Sequence, residues 1–366
     1  MNLSAPTMAL LVALCACTDS QATTDLKLNF NPGTTVDIEF ESDGTELSGI
    51  LDVPVQPAQA LVIFVHGYGE TDVRGWNMYA TLRKQFNALG IATATWDKPG
   101  QGRSRGTFDI NQPVPESAAE VVAAANYLRA VQAPGSDYMG IWGVSRGGWI
   151  APIALSQDDE MKFWISVSGV TAEDNFPYLL LSNLPYEGGT AEEAELLGQE
   201  WREGCELLRT DGSYQDYQAA TSSLRSNEYI TRMRGGWPSW LEFQAQQANC
   251  QSGVCPQVDD EMCSYIHIEN FDGMLAALDV DVLALFGEKD LNVDWRKTRA
   301  FYQATIAENQ DASLTIKTFA DADHNINVSE TGSIKEMQTM RSATKSEGFY
   351  QTQLDWLRER VLARED

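Results

Sequence analysis

Gly143-Val144-Ser145-Arg146-Gly147 sets a hydroxyl among small neighbours, between a buried apolar run ending at Trp142 and a helical stretch from Gly147 to Leu155. A sharp strand-to-helix turn strains the backbone, and small flanking residues relieve the crowding. Such a turn lifts the serine hydroxyl above a sheet and aims it at the first amides of the next helix. A serine hydroxyl is a weak nucleophile at neutral pH and needs a base. The chain has three histidines. His324, in Asp321-Ala322-Asp323-His324-Asn325, follows the last apolar run and best fits the chain order of nucleophile, acid and base that goes with such a turn. That acid is expected after the preceding strand, in Phe286-Gly287-Glu288-Lys289-Asp290. Asp290 would accept the imidazole N–H, hold its tautomer and stabilise the imidazolium. Glu288 and Asp294 are its neighbouring rivals.

Acyl transfer builds negative charge on the former carbonyl oxygen. Backbone amides aimed there are each worth roughly 10²–10³ in rate. The candidates are the N–H of Arg146, next to the nucleophile, and that of Tyr68 in Val65-His66-Gly67-Tyr68-Gly69. His66 reads as a brace for this loop rather than a base. His267 lies in an irregular acidic stretch before the sheet resumes. The segment Asp97 to Ser104 is expected to brace the Tyr68 loop by hydrogen bonds, with Arg103 and nearby Arg105 equally readable as a solvated turn. The Arg146 guanidinium either meets an anionic group of a substrate or pairs with one of the many carboxylates.

These residues need a scaffold. Val36 to Phe40 and Leu47 to Val53 read as a hairpin with one wet face, joined by turn residues Ser42-Asp43-Gly44-Thr45. Then come continuous apolar runs, as expected of strands covered on both faces: Ala60–Val65, Ile91–Trp96, Tyr138–Trp142, Phe163–Ser168, Val280–Phe286 and Ser313–Phe319. Helical spacing separates them at Tyr79–Leu89, Glu116–Val131 and Gly147–Leu155, and Gly348–Ala363 closes the chain. Alternation of this kind predicts an α/β fold, a mostly parallel mixed sheet flanked by helices. From Thr171 to Leu278 the rhythm is lost. Helical pieces such as Ala191–Leu208 and the residues Trp201, Trp237 and Trp240 predict an inserted helical cap. The expected division is a core of 36–170 and 280–366 with a cap of 171–279.

The N-terminus has the form of a targeting segment. Met8–Leu14 is apolar but too short to span a bilayer. Leu14-Cys15-Ala16-Cys17 matches a bacterial lipobox, with Cys17 as the lipidated residue. Residues 1–17 would be the signal and 18–35 a tether. This predicts export, to the periplasm or as a membrane-anchored lipoprotein of a bacterium. Cys205, Cys250, Cys255 and Cys263 are an even set that an oxidising compartment could join as two disulfides in three pairings. Cys250, Cys255, Cys263 and His267 could alternatively hold zinc, but their spacing lacks the usual Cys-x-x-Cys pairs. The formal charge of −26 repels nucleic acid and gives no grip on anionic lipid.

Taken together, His66-Gly67-Tyr68-Gly69, Asp97-Lys98-Pro99-Gly100-Gln101-Gly102-Arg103-Ser104, Gly143 to Gly148, Gly287-Glu288-Lys289-Asp290 and Asp323-His324 resemble the α/β-hydrolase superfamily in type and order. Among its branches the chain is similar to bacterial exported esterases and peptidase-like hydrolases whose elbow runs on as Gly148-Trp149-Ile150-Ala151-Pro152. It departs from many of them in carrying Val144, not His, before the nucleophile. The resemblance implies a serine hydrolase that cleaves a carboxylic ester through an acyl-serine, acting on a small ester or short peptide. Aminopeptidase, peptidase-like or thioester cleavage is the alternative, and a non-catalytic binding protein on the same scaffold is a further one. An aminopeptidase would need carboxylates in the cap for a substrate ammonium, and Glu192, Glu193 and Glu195 are candidates. No metal or organic cofactor is implied.

Overall fold

In a computed structural model, the described residues are 28–364 except 174, 235, 252–267, 308, 310 and 311, with side chains not described at 249–251. The signal segment, Cys17, Cys255, Cys263 and His267 therefore lie outside them, as does the side chain of Cys250. Eight strands form one sheet: β1 (Thr35–Ser42), β2 (Thr45–Asp52), β3 (Ala60–Val65), β4 (Ile91–Trp96), β5 (Met139–Val144), β6 (Met161–Val167), β7 (Asp281–Gly287) and β8 (Ser313–Phe319). Their order is β1-β2-β4-β3-β5-β6-β7-β8. β2 is antiparallel to both β1 and β4, and every pairing from β4 to β8 is parallel. Only β2 therefore runs against the rest, so the sheet is mixed because of a single strand.

Strand alternation sorts side chains into two cores. Leu61, Ile63 and Val65 of β3 join one cluster, while Ala60, Val62 and Phe64 join the other. The first is covered by α2 (Val114–Ala130), α3 (Gly147–Gln157), α10 (Phe271–Ala276) and α11 (Trp295–Thr305). The second is covered by α1 (Ala80–Ala88) and α13 (Phe349–Trp356). The closing helix is not continuous: after Trp356 it widens into a π-helical turn, Leu357–Leu362. Leu357 and Val361 stay in the core through that turn.

Between β6 and β7 lie α4 (Phe176–Asn183), a 3₁₀ turn at Leu184–Glu187, α5 (Ala191–Arg209), α6 (Tyr214–Ala220), α7 (Ser222–Ser226), α8 (Glu228–Arg234) and α9 (Trp240–Gln251). They have an apolar centre of their own, with Leu180, Leu197, Trp201, Leu224 and Ile230. Cys205 is buried in it. α12 (Ile334–Thr339) lies between β8 and α13.

Strand order decides where chemistry can sit. The chain steps outward from β3 to β4, then returns to the other side of β3 as β5. At such a reversal the loops leaving two adjacent parallel strands diverge and open a crevice at their carboxyl ends. Val65 pairs with Gly143 at that rim.

The α13 face is tied to the sheet by a buried hydrogen bond. The indole N–H of Trp142 donates to Gln353 Oε1 at 2.8 Å, and Gln353 has no exposed surface. Replacing Gln353 with Leu orphans that donor and should cost about 1–3 kcal/mol. Urea unfolding checks this, and an unchanged midpoint would show that the pair adds nothing.

Candidate active site

The elbow takes the conformation that the sequence pattern demands. Ser145 has φ 53°, rare outside glycine, between the end of β5 and the start of α3. A Cβ on Gly143 would meet the carbonyl oxygen of Gly147 at 2.9 Å, so only glycine lets strand and helix close so tightly. The turn is pinned from both sides. Ser145 N–H donates to Val167 C=O at 2.9 Å, and Gly148 N–H to Ser145 C=O at 2.7 Å.

His324 and Asp290 come together on the loops after β8 and β7. Nδ1 of His324 lies 2.7 Å from Oδ2 of Asp290, and the carboxylate is 1% exposed. The other oxygen of Asp290 accepts the backbone N–H groups of Asn292 at 2.8 Å and Val293 at 2.9 Å. With Oδ2 accepting, Nδ1 carries the proton and Nε2 keeps its lone pair. Burial opposes charging of this imidazole, but the charge and hydrogen bond of Asp290, helped by Asp323, outweigh it and hold His324 above the ordinary histidine value. A Cβ on Gly287 would strike the backbone oxygen of Asp323 at 2.2 Å, so this glycine allows the two loops to meet. The rivals of Asp290 are committed elsewhere. Asp294 caps α11, and Glu288 accepts the hydroxyl of Thr318 at 2.7 Å.

Ser145, His324, Tyr68 and Arg146 all line one cavity of about 2180 Å³ between the sheet rim and the cap. Phe176, Met233 and Trp237 line it from the cap side. The first cap helix is fastened to the acid loop: Tyr178 Oη donates to Asp290 C=O at 3.1 Å, and Asn183 Nδ2 to Leu291 C=O at 3.1 Å.

The loop after β3 lies against the elbow. A Cβ on Gly67 would be 3.3 Å from Ser145 Cβ. His66 is buried beneath it. Its Nε2 donates to Trp96 C=O at 2.7 Å, and its Nδ1 accepts from Tyr79 Oη at 3.1 Å. Burial lowers it to about 4, against the pull of the Trp96 bond, so it is neutral at pH 7. Asp97 is fully buried and accepts Val73 N–H at 2.6 Å and Arg103 N–H at 3.2 Å. The side chains of Arg103 and Arg105 are exposed and pair with Asp37 and Glu46.

Among the described residues, the hydrogen-bond partners of the Arg146 guanidinium are neutral groups. The guanidinium is turned inward, the residue only 3% exposed. It donates to Ser117 Oγ at 3.0 Å and to Gln112 C=O, and stands 5.4 Å from the centre of the Tyr68 ring. Glu192, Glu193 and Glu195 do not line the cavity; Glu193 accepts Asn227 Nδ2 at 3.0 Å.

One positioning group, Ser168, has no reading in the sequence, while Lys98 supplies the bracing of the Tyr68 loop expected of the segment Asp97 to Ser104. Ser168, itself at φ 47°, donates its hydroxyl to His324 C=O at 2.6 Å. Lys98 donates Nζ to Gly67 C=O at 2.6 Å and to Gly69 C=O at 2.8 Å. Ser168 directly follows β6, which is a weak local signal; within the bracing segment no local feature singles out Lys98.

The profile of the serine aminopeptidase family S33 matches residues 56–184, from before β3 into the cap. The fold superposes on DcsB, solved with a substrate analogue, with TM-score 0.52 and 15% identity over 90% of this chain and 100% of that one. The chain has the α/β-hydrolase fold. An esterase of Pyrococcus furiosus is similar to this chain at TM-score 0.50 and 14% identity, covering 90% and 92% of the two chains. The acylaminoacyl peptidase of Pyrococcus horikoshii gives 0.51 and 13%, covering 91% of this chain and 42% of the longer one. Among curated proteins none matches the sequence.

With three histidines in the chain, NMR can follow each ring. His324 should titrate above 6.5 and His66 near 4. Asp290→Asn should bring the His324 transition down and leave His66 in place. A His324 transition insensitive to that substitution would contradict the pairing.

Proposed function

We propose that this protein, which has the α/β-hydrolase fold, is a serine hydrolase that cleaves a carboxylic ester. Ser145 is the nucleophile, His324 the general base and Asp290 the residue that orients the base. The observation that carries the reading is the buried 2.7 Å Asp290–His324 pair on the cavity that Ser145 lines from a strained elbow. In the reaction His324 Nε2 takes the serine proton as Oγ attacks the carbonyl carbon. The developing oxyanion is held by the N–H groups of Tyr68 and Arg146. The proton then passes from His324 to the leaving alcohol, and water repeats the attack on the acyl-serine.

Ester cleavage is preferred to aminopeptidase action because the cap carboxylates suited to an ammonium stand away from the cavity. Among the described residues Glu242 and Glu269 line it singly, and Glu242 is occupied in accepting Ser239 N–H at 2.7 Å. The large cavity, with Phe176, Met233 and Trp237, suits an apolar substituent. The description of the matching family is what keeps aminopeptidase cleavage as the second reading.

A fluorophosphonate probe should label the protein and fail on Ser145→Ala. Within a substrate panel, p-nitrophenyl esters should be hydrolysed well ahead of aminoacyl-nitroanilides. Ser145→Ala or His324→Ala should each lower kcat by about 10⁶, as expected of residues acting as a unit. Preference for the nitroanilides would favour the aminopeptidase, and labelling that survives Ser145→Ala would refute the assignment.

A further inference from the structure

Lys98 follows β4, one residue beyond buried Asp97. Its ammonium is spent on two backbone carbonyls of the loop after β3, those of Gly67 and Gly69. The Gly67 carbonyl belongs to the same amide plane as the N–H of Tyr68. A cation on an amide oxygen draws electron density from the nitrogen, so the N–H becomes a better donor. The two bonds also fix the tilt of that plane, and charge-assisted bonds resist displacement more than neutral ones. The Lys98 backbone N–H donates to Thr71 Oγ1 at 2.8 Å, which ties the start of this segment to the far end of the same loop.

We propose that Lys98 is a positioning residue of the oxyanion site: its ammonium orients and polarises the Gly67–Tyr68 peptide whose N–H receives the developing negative charge. The inference rests on the serine-hydrolase reading and deepens it. The charged groups facing Lys98 are Arg146, which repels it, and Glu120, which attracts it; His66 is near enough to feel its charge but is itself neutral at pH 7. Burial, then the Arg146 charge, brings the lysine down to about 8 against the pull of Glu120. Its charge is therefore present at pH 7 and is lost as pH rises past that value. The rate should fall over the same range, because a neutral amine polarises the peptide less.

The test measures kcat and KM for a p-nitrophenyl ester from pH 6 to 10 in wild type, Lys98→Met and Lys98→Gln, with fluorophosphonate labelling rates alongside. Removing one direct oxyanion donor costs ~10²–10³. A group that acts through such a donor should cost less, about tenfold in kcat for Lys98→Met, with KM little changed. The alkaline fall near pH 8 should be present in wild type and absent from both variants. Lys98→Gln, which keeps one donor without the charge, should lie between the other two in kcat. If wild type shows no alkaline fall, or if the variants keep both its kcat and its alkaline fall, Lys98 has no such role. A scaffolding role alone would lower kcat and thermal stability together and leave the pH profile unmoved, which also overturns the proposal. A wild type that neither labels nor hydrolyses the ester removes the parent reading and this one with it, whereas labelling that depends on Ser145 beside unaffected Lys98 variants removes only this one.

Discussion

A neutral imidazole can take a proton from a neighbouring hydroxyl only if its free nitrogen faces that hydroxyl. In this protein the side of the ring is set by the buried hydrogen bond between Asp290 and His324. Because Asp290 is held by two backbone amides of its own loop, it cannot swing away without leaving donors unpaired. The carboxylate thus fixes the ring, and the loop fixes the carboxylate. Ser168 adds a second hold through the His324 carbonyl, and Tyr178 joins the cap to the same loop. The cap is therefore coupled to the acid rather than only laid over the sheet.

The opposite wall of the site obeys a different constraint. Loops leaving β3 and β5 must lie side by side because the strand order reverses there. At Gly67 a Cβ would press on Ser145 Cβ and Val144 C=O, each 3.3 Å away, and the glycine brings backbone amides rather than a side chain next to Ser145. Beneath these amides lies a group of polar and charged side chains, His66, Lys98, Glu120 and Arg146. Burial raises Glu120, and its carboxylate accepts Trp96 Nε1 at 3.0 Å and Gln112 Nε2 at 2.7 Å. Such a layer is costly to bury unless its members satisfy one another. Glu120 is met by side chains, whereas His66, Lys98 and Arg146 each also bond to backbone carbonyls at the ends of the loops that frame the site, so part of the cost is offset where rigidity matters most.

The parts of this arrangement visible in the sequence are those carried by local pattern. β3 and β4 are six-residue runs buried throughout, and their apolar composition says so directly. The elbow is legible because strand, small residues and helix are contiguous. Asp290 lies in the loop where an acid is expected, and its rivals Glu288 and Asp294 turn out to serve a strand partner and a helix cap. Lost to the sequence was whatever depends on side chains meeting across long separations. Arg146 turns toward Ser117 and Gln112, in and just before α2, and no spacing around residue 146 encodes that direction. The amphipathic pattern after Gly348 gave one helix, whereas the backbone widens at Leu357 while keeping the same residues in the core. In the cap, α5 is readable from the helical spacing of Ala191 to Leu208, and Thr190 caps it. The shorter helices around it depend on packing against one another.

The proposed chemistry requires that the Ser145 hydroxyl, the His324 imidazole and the loop amides meet at one point in space. A crystal structure of the protein after reaction with an alkyl phosphonate tests this most directly. It should show phosphorus bonded to Ser145 Oγ, one phosphonyl oxygen within hydrogen-bond reach of the Tyr68 and Arg146 amides, and His324 Nε2 facing the adduct. Phosphorus on another residue, or a His324 ring turned away with Asp290 unpaired, would contradict it.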